Sequence, residues 1–470
     1  MKWLATGACA LVGMAAPAGG AELAVSRNVW MDPNPRFLAT DRYNPGELVP
    51  QVEADCAVDP ANPDHIVVSA AYFDAALAEP PKHGNWRNRT AGCTLYSTDG
   101  GKTWTPVREP FWGEYNLRVA YSRRFGDAYR YGIIGKKWMD IQRSQTHGAR
   151  WESQQTQAAV DGEFPVDGDH PCLAVDNSPE SPFYGRIYVA ATKRFLWFND
   201  RRGAPDGYQR CAHRIASGTF MMDDLCVLRN GEVVLAYRQY EKVDGEWPVR
   251  FRLRLSADGG RSLSEPAEIV KLPFIPYARP TEPGKVFYPG VGTDSQASFA
   301  VDPNTDRFYC AYMNLVEGKQ RLFLIHSDDR GKTWSAPVRV SPAAPHASDQ
   351  FQAQIAVNPR GEPGIVWFDT RLHPGREAYD VYFAFSQDQG VSFQEVRVSS
   401  QSSHAVWTFN QEQVPLDQWI VPGFDSRRHL TRGDYIGLAA DARGDFVMAW
   451  PDCRNDNRQQ MYFAEVAVKR

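Results

Sequence analysis

The sequence lacks the excess of positive charge that nucleic-acid-binding domains carry. Its 470 residues include 56 acidic and 52 basic side chains, giving a formal net charge of −4. Because affinity for a phosphate backbone comes from clustered Lys and Arg, we expect no nucleic-acid partner. The sequence also has no C-x-x-C pair, no G-x-S-x-G frame and no H-E-x-x-H frame. These absences argue against a zinc ribbon, a serine esterase and a zinc protease.

Long apolar runs are scarce, and the one at the amino terminus is short. Lys2 precedes an apolar run from Trp3 to Ala16, and small residues follow up to Ala21. This order is typical of an export signal, whereas a membrane-spanning helix needs about 20 apolar residues. We therefore expect residues 1–21 to be removed as a signal peptide. The remaining chain is then secreted or periplasmic, with no membrane association after cleavage.

The composition favours an all-β protein. Hydrophobic residues make up 43 % and aromatic residues 12 %, which is too apolar for a disordered chain. The 37 Gly and 33 Pro are too many for a helical bundle. A chain of this length would ordinarily form two to four domains, unless a single large β architecture uses all of it.

A turn frame of the form S-x-D-x-G-x-x-W/F recurs along the chain. The Asp carboxylate of such a frame can accept turn amides, the Gly takes a positive φ, and the aromatic residue packs under the turn. Four copies keep the aspartate of the frame, at Asp99, Asp258, Asp329 and Asp388, and a fifth, degenerate copy occupies residues 144–151. We expect these four aspartates to be structural.

Seven apolar hairpins accompany these turns, and together they predict a β-propeller. Repeats of about four strands bury their faces only against neighbouring repeats, as propeller blades do. We expect one domain over residues 22–470, closed by pairing of the strand from Leu23 to Arg27 with the last blade. Seven blades are favoured. Six remain possible, because the third repeat looks abbreviated after Cys211.

The long insertions fall on one rim of the predicted ring, and the Asp turns fall on the other. Insertions at 74–92, 194–208, 272–293 and 400–432 lie at the rim where the first strand of each repeat begins. Functional loops on repeat proteins usually share one face, so we expect the active site at this rim, opposite the Asp turns.

Charged and polar side chains are also concentrated at this rim. Such a set suits an anionic or polyhydroxylated ligand, because Arg forks grip carboxylates. Two of the arginines belong to a repeated W-x-D-x-R frame, at 367–371 and 450–454, that could instead tie one blade to the next. The candidate binding residues are Arg194, Arg238, Asp294, Gln350, Asp369, Arg371 and Arg454.

The turn frame resembles the Asp-box, or BNR repeat, of the sialidase superfamily. Residues 169–176 and 185–189 are similar to exported bacterial sialidase-like proteins. The resemblance implies an exo-α-sialidase-like glycosidase with a Tyr nucleophile, which departs from the usual pair of carboxylates. By this resemblance Arg238, Arg371 and Arg454 hold the substrate carboxylate, and Asp55 or Asp74 is the acid/base. Tyr435 or Tyr288 is the nucleophile, with Glu53 or Glu282 as its partner.

Three functions remain open from the sequence. The first is an exported glycoside hydrolase that releases a terminal acidic sugar from a glycan. The second is a polysaccharide lyase with a Tyr or His base, for which His170, His213 and His346 are available. The third is a propeller that binds glycan or protein without catalysis. We expect a monomer with a glycan or polysaccharide substrate and no catalytic metal or other cofactor, although the acid-rich rim could hold a structural Ca²⁺.

Seven cysteines would remain after loss of the signal. Cys56 and Cys93 are separated by 37 residues and Cys172 and Cys211 by 39, at similar places in two repeats. An exported protein permits disulfides, so these two pairings are our prediction.

Overall fold

The computed structural model describes most of the chain from Ala21 onward. The described ranges are 21–31, 51–73, 90–107, 111–112, 114–134, 138–156, 170–192, 195–242, 248–272, 296–375, 378–404, 408–409, 412–413, 420–421, 424–425, 435–455 and 458–470. The predicted export signal lies outside these ranges except for Ala21. None of the described residues forms a helix long and apolar enough to cross a membrane.

The described elements are almost all strands. Two short strands open the chain, namely β1 (Glu22–Val25) and β2 (Val29–Trp30). Blade 1 contains β3 (Gln51–Asp59), β4 (Asn62–Phe73), β5 (Thr90–Ser97), β6 (Thr105–Pro106) and β7 (Phe111–Trp112). Blade 2 contains β8 (Glu114–Tyr121), β9 (Ala128–Ile134), β10 (Trp138–Ser144) and β11 (Glu152–Thr156). Blade 3 contains β12 (Cys172–Val175), β13 (Ile187–Ala190), β14 (Phe195–Asn199) and β15 (Tyr208–Arg214), with a 3₁₀ turn at Pro205–Gly207.

The later blades repeat this plan. Blade 4 contains β16 (Thr219–Val227), β17 (Val233–Tyr240), β18 (Val249–Ser256) and β19 (Ala267–Leu272). Blade 5 contains β20 (Ala297–Val301), β21 (Phe308–Val316), β22 (Lys319–Ser327) and β23 (Val338–Arg339). Blade 6 contains β24 (Gln350–Val357), β25 (Pro363–Asp369), β26 (Ala378–Phe385), β27 (Gln394–Arg397) and β28 (Ser403–His404). Two small ribbons follow, formed by β29 (Thr408–Phe409) with β30 (Glu412–Gln413) and by β31 (Ile420–Val421) with β32 (Phe424–Asp425). Blade 7 contains β33 (Gly437–Ala440), β34 (Phe446–Asn455) and β35 (Arg458–Lys469).

Each blade is an antiparallel sheet of four strands, here lettered A to D from the inside outward. The seven A strands contact one another in sequence, and the A strand of the last blade contacts that of the first. Seven apolar clusters fill the seven junctions between neighbouring blades. The protein is therefore a seven-bladed β-propeller, as the repeats predicted.

The middle strands explain why the sequence reads as continuous apolar runs. All residues of β25 and β26 are buried, because both faces of a blade pack against a neighbour. The outer strand β27 is only half-buried along its length. The apolar runs therefore correspond to strands covered on both faces.

The amino-terminal strand closes the ring as predicted. Strand β1 pairs antiparallel with β35, placing Leu23 opposite Val468 and Val25 opposite Val466. Strand β2 continues this edge, with Trp30 opposite Tyr462. The D strand of blade 7 thus comes from the opposite end of the chain.

The two rims of the propeller follow from the strand directions. In an antiparallel blade, the A–B and C–D turns lie at one end, and the A strands begin at the other. The Asp-box turns after β5, β18, β22 and β26 join C to D, so they lie at the end opposite the starts of the A strands.

Two sequence predictions about local structure were wrong. The insertion predicted at residues 194–208 contains the C strand of blade 3 and its C–D turn, so that blade is complete. The two predicted disulfides are not formed, since Cys56, Cys172 and Cys211 are free thiols. Cys56 lies on strand A and Cys93 on strand C with β4 between them, which separates them by about 9.5 Å, beyond the reach of about 7 Å. Cys172 and Cys211 are further apart, on strands A and D.

Candidate functional site

A polar pocket lies where the A strands begin, at the centre of the ring. Residues from blades 2 to 7 line it, and its space is about 340 Å³, part of it open to solvent. Apart from Arg238, which is on a B strand, its lining residues come from A strands or the residues just before them. The polar residues that line it are Arg118, His170, Asp223, Arg238, Gln296, Gln352, Gln354 and Tyr435.

A tyrosine–histidine pair forms part of the pocket wall. The Oη of Tyr435 lies 2.7 Å from Nδ1 of His170, which is a short hydrogen bond. The two rings meet edge to face with their centroids 5.7 Å apart. Both side chains are buried, with 9 % of Tyr435 and 3 % of His170 exposed. The pair can pass a proton from the phenol to the imidazole.

Two guanidinium groups flank this pair. The Cζ of Arg118 lies 4.2 Å from the centre of the Tyr435 ring. One terminal nitrogen of Arg238 lies 3.3 and 3.4 Å from the two ring nitrogens of His170, and another lies 3.5 Å from an Asp223 carboxylate oxygen. The phenol and imidazole therefore share the pocket with two cations, as recognition of a carboxylate requires.

Buried carboxyl groups accompany these cations. Burial raises the pKa of Asp224 to about 6, although Phe299 N–H donates to its carboxylate over 2.6 Å and Arg118 opposes the rise. Burial also raises the pKa of Asp55, again opposed by Arg118, whose guanidinium lies 4.0 Å away. Burial disfavours the charge on Arg118, but the carboxylate of Asp55 and other neighbours outweigh it and raise the pKa of the guanidinium.

Irregular backbone recurs at this pocket. The A–B register shifts at the pocket end of β3, β8, β16 and β24, which indicates bulges in four A strands. His170 and Gln352 both have a positive φ, of 53° and 49°, outside any Asp-box turn. Bulges and left-handed residues of this kind re-aim side chains and cluster at functional sites.

The three arginines predicted as a carboxylate clamp are not brought together. Arg238 lines the pocket, whereas Arg371 follows the B strand of blade 6 and Arg454 lies near the end of the B strand of blade 7. Arg371 pairs with Asp369 over 2.7 Å and with Glu395 over 3.0 Å. The joint role of the three arginines stays a prediction.

The W-x-D-x-R frame builds the same structure in both blades. The indole of Trp367 donates to Asp369 over 3.0 Å, and the Arg371 guanidinium stacks on Tyr382 with its Cζ 3.8 Å from the ring centre. The same distances in blade 7 are 3.0 Å from Trp450 to Asp452 and 4.3 Å from Arg454 to the Tyr462 ring. Each arginine also donates to a serine of the preceding blade, Ser341 for Arg371 and Ser400 for Arg454. These contacts tie blades together, the alternative that the sequence left open.

Other predicted residues lie elsewhere or outside the described residues. The Gln350 side-chain oxygen accepts the backbone N–H of Leu322 over 3.0 Å, beside Asp369. Glu53 lies in strand β3, but its side chain is not among those that the structure describes. Asp74, Arg194, Glu282, Tyr288 and Asp294 lie outside the described residues altogether.

The Asp-box aspartates have the turn contacts that the frame implies. In blade 4, Asp258 accepts hydrogen bonds from Ser256 Oγ, Ser262 N and Ser262 Oγ, at 2.8, 2.9 and 2.5 Å. Asp99, Asp329 and Asp388 have equivalent sets. Bonds of this kind lower the pKa of Asp329 to about 2.

The central pocket and the groups that could hold a metal lie at opposite rims. In the described part of the chain, two groups of three converging ligand side chains occur, around Asp59 and around Asp441. Asp59 ends the A strand of blade 1 and Asp441 follows the A strand of blade 7, so both lie at the Asp-box rim.

Comparison with known proteins identifies the repeat. The model of the BNR/Asp-box repeat matches residues 95–106 and 325–336. No curated protein sequence matches the chain significantly. Three solved structures with similar architecture are a protein of unknown function from Dyadobacter fermentans, the NanB sialidase from Streptococcus pneumoniae and a sialidase from Trypanosoma rangeli.

These three structural similarities concern architecture and assign no activity. Their sequence identities are 11 %, 8 % and 11 %, and their TM-scores are 0.48, 0.42 and 0.42. The matches cover 95 %, 93 % and 94 % of this chain and 99 %, 70 % and 60 % of the others. The match of the repeat model confirms that the predicted turn frame is the BNR/Asp-box repeat.

Proposed function

We propose that this propeller is a carbohydrate-active enzyme of the sialidase-like type, which releases a terminal acidic sugar from a glycan. The observation that carries the proposal is the 2.7 Å hydrogen bond between Tyr435 Oη and His170 Nδ1. It lies in a pocket that also contains Arg118 and Arg238. A nucleophile, its base and cations for a carboxylate thus lie together.

In this mechanism Tyr435 is the nucleophile. His170 takes the phenol proton as the oxygen attacks the anomeric carbon, since a phenol needs a base to act near neutral pH. The bond to the leaving sugar breaks as the glycosyl–tyrosine bond forms, and water then releases the sugar. The leaving oxygen requires a proton, for which the sequence predicts Asp55 or Asp74 as the donor. Burial raises the pKa of Asp55, so this carboxyl keeps its proton to higher pH than a free one.

A polysaccharide lyase is the second candidate, because the partner of Tyr435 is an imidazole. In that reaction the Tyr435 oxygen, deprotonated by His170, removes the proton next to a uronate carboxylate. A carbon–carbon double bond forms as the glycosidic carbon–oxygen bond breaks, and the departing oxygen takes the proton that the Tyr435 phenol has gained. Arg118 or Arg238 neutralises the carboxylate and so acidifies that proton.

The products distinguish the two reactions. The purified protein is incubated with sialylated and uronate-bearing glycans, and the products are analysed by mass spectrometry. Release of a free sugar acid, with one water added across the cleaved glycosidic bond, supports the hydrolase. Formation of an unsaturated product alone, with no water added, supports the lyase. Inactivity on the whole panel contradicts both and favours a binding propeller.

The tyrosine is tested by substitution with phenylalanine. Tyr435→Phe removes the reactive oxygen while keeping the ring that Arg118 covers, so turnover should fall at least about a thousandfold. The matched control is Tyr312→Phe, since Tyr312 is also buried but stacks on Phe323 within blade 5. Retained turnover in Tyr435→Phe would remove this tyrosine from the mechanism. Export and the monomeric state remain predictions from the sequence.

A further inference from the structure

We propose that Asp59, His65 and His147 form a zinc site that joins blades 1 and 2 at the Asp-box rim. Asp59 ends the A strand β3 and His65 lies in the B strand β4, both in blade 1. His147 lies in the C–D turn of blade 2, between β10 and β11. This Asp–His–His cluster is at the rim opposite the central pocket, so the proposal does not rest on the proposed function.

The spacing of the three ligand atoms suits tetrahedral zinc. Oδ2 of Asp59 lies 3.3 Å from Nδ1 of His65 and 3.5 Å from Nδ1 of His147. Charge-assisted hydrogen bonds to a carboxylate are shorter, at about 2.7 to 2.9 Å. Zinc bonds of about 2.0 to 2.2 Å place tetrahedral ligand atoms about 3.4 Å apart. The carboxylate oxygen is therefore at zinc-ligand spacing from both histidines.

The burial of the cluster favours an ion between its members. Asp59 is only 3 % exposed, and its other oxygen accepts the backbone N–H of Ala61 over 2.9 Å, which fixes the carboxylate. Nδ1 of His147 is buried and has no hydrogen-bond partner among the described atoms. A metal ion would satisfy this nitrogen and compensate the buried charge of Asp59.

The donor set selects the class of metal. Two imidazole nitrogens and one carboxylate oxygen suit zinc, whereas calcium and magnesium prefer oxygen ligands alone. The side chain of His147 is 42 % exposed, so water can complete the tetrahedron on that side. The rings of His65 and His147 lie 3.9 Å apart between centroids, and the ring of His147 is the more exposed of the two.

A neighbouring amide would orient His65. The Nδ2 of Asn62 lies 3.2 Å from Nε2 of His65. With zinc on Nδ1, the ring carries its proton on Nε2, so the Asn62 oxygen, which here accepts the N–H of Asp64 over 3.1 Å, must turn to face it instead. Ligating histidines usually donate their second N–H to such an oxygen.

The turn that contains His147 has lost its carboxylate. Thr146 stands where Asp99 stands in blade 1, and its hydroxyl accepts the N–H of Arg150 over 2.9 Å. His147 itself takes a left-handed conformation, with a φ of 53°. An ion shared with blade 1 would fix this weakened turn.

The test is a zinc titration of the full chain without an affinity tag, after removal of metals with a chelator. Calorimetry should find one zinc per chain, and zinc should raise the melting temperature, because it binds the folded state. His147→Gln should weaken zinc binding at least about tenfold and abolish the rise. Glutamine is tolerated at this turn position, since Gln389 adopts a φ of 61° in blade 6. Asp59→Asn should also weaken zinc binding and reduce the zinc-dependent rise in melting temperature.

His346→Ala is the matched control, because His346 is exposed and pairs with Glu317 elsewhere. It should bind zinc as the unaltered chain does. The proposal is overturned if no saturable binding occurs at one equivalent. It is equally overturned if His147→Gln binds normally, if His346→Ala loses as much affinity, or if Ca²⁺ and Mg²⁺ raise the melting temperature as zinc does.

Discussion

At the scale of single residues, one register position of the A strands determines the polarity of the ring centre. Three residues before the last A–B pair of each blade, taken in blade 1 as Val58 with Ile66 ahead of the bulge, the A strands hold Asp55, Arg118, Cys172, Asp224, Ser298, Gln354 and Gly437. Three of these side chains accept a backbone N–H from the next blade. The donors are Val119, Phe299 and Ile355, for Asp55, Asp224 and Ser298 respectively. The hydrogen bonds at this position of the A strands therefore join neighbouring blades beneath the pocket.

The carboxyl of Asp224 makes this level sensitive to pH. Its pKa is about 6 in the folded protein and near 3.8 when unfolded, so between these values the folded state holds a proton that the unfolded state has lost. Stability should therefore fall as pH rises from about 4 to 6, by about 2 to 3 kcal/mol, and then level off. Asp224→Asn should remove this component. The check is the difference in free energy of unfolding between the two proteins, measured with denaturant from pH 4 to pH 7.

A constant difference over that range would show that Asp224 titrates as an ordinary carboxyl. Ser298→Ala tests the same carboxyl from its partner, because the Ser298 hydroxyl donates to Asp224 over 3.2 Å and lowers its pKa. Without that donor the pKa of Asp224 should rise further, so the pH-dependent component of stability should grow.

Sequence reasoning found part of the pocket and missed the rest. Tyr435 and Arg238 were predicted, and His170 was identified as an available base, because polar residues at strand ends stand out beside apolar runs. Arg118 was missed because it is inside an apolar strand, between Leu117 and Val119. Alignment of the repeats on their A–B turns would have placed Arg118 level with Asp55. The positive φ of Gln352 leaves no such trace in sequence.

At the scale of elements, the Asp-box turns were predictable because their chemistry is local. The hydrogen bonds that their Ser and Asp side chains make join residues within four positions of one another, so the local sequence specifies them. Disulfides were not predictable in this way. The similar spacing of the two cysteine pairs hides the fact that one pair lies on strands A and C and the other on strands A and D.

The worn turn of blade 2 offers a test of Asp-box energetics. Thr146→Asp restores a carboxylate able to accept the Arg150 N–H and further turn amides, so the free energy of unfolding should rise by about 0.5 kcal/mol. The reciprocal change Asp258→Thr removes such a carboxylate from blade 4 and should cost about 1 kcal/mol. Both are measured by denaturant unfolding at pH 7 with chelator present. A loss of stability in Thr146→Asp would contradict this account of the turn.

The W-x-D-x-R element predicts a structural role for Arg371. Its removal leaves Asp369, whose side chain is fully buried, without its cation. Arg371→Ala should therefore lower the free energy of unfolding by about 3 kcal/mol. Arg339→Ala, on the outer strand of blade 5, should have little effect. Unchanged stability with lost turnover in Arg371→Ala would instead favour the carboxylate clamp predicted from sequence.

At the scale of the whole molecule, the seven-bladed ring could be predicted because each repeat carries its own hairpin and turn signals. The abbreviated look of blade 3 arose because Asn199 replaces the serine of the turn frame. Its Oδ1 accepts the N–H of Gly203 over 3.0 Å, as Ser97 Oγ accepts that of Gly101 over 2.9 Å. The loops around the pocket follow no repeat, so neither their paths nor their contacts could be derived from the pattern.

Closure of the ring depends on a strand from the far end of the chain. Leu23, Val25 and Trp30 pack on the apolar cluster between blades 6 and 7, and β1 supplies the fourth strand of blade 7. A chain that begins after Met31 would expose this cluster and the edge of β35, so it should unfold at a lower denaturant concentration and tend to associate. A synthetic peptide of residues 21–31 should restore the midpoint when added in excess, because it binds only the folded state. A peptide with Leu23, Val25 and Trp30 replaced by serine should fail to do so. Equal stability of the shortened and full chains would mean that the three strands β33 to β35 close the ring unaided.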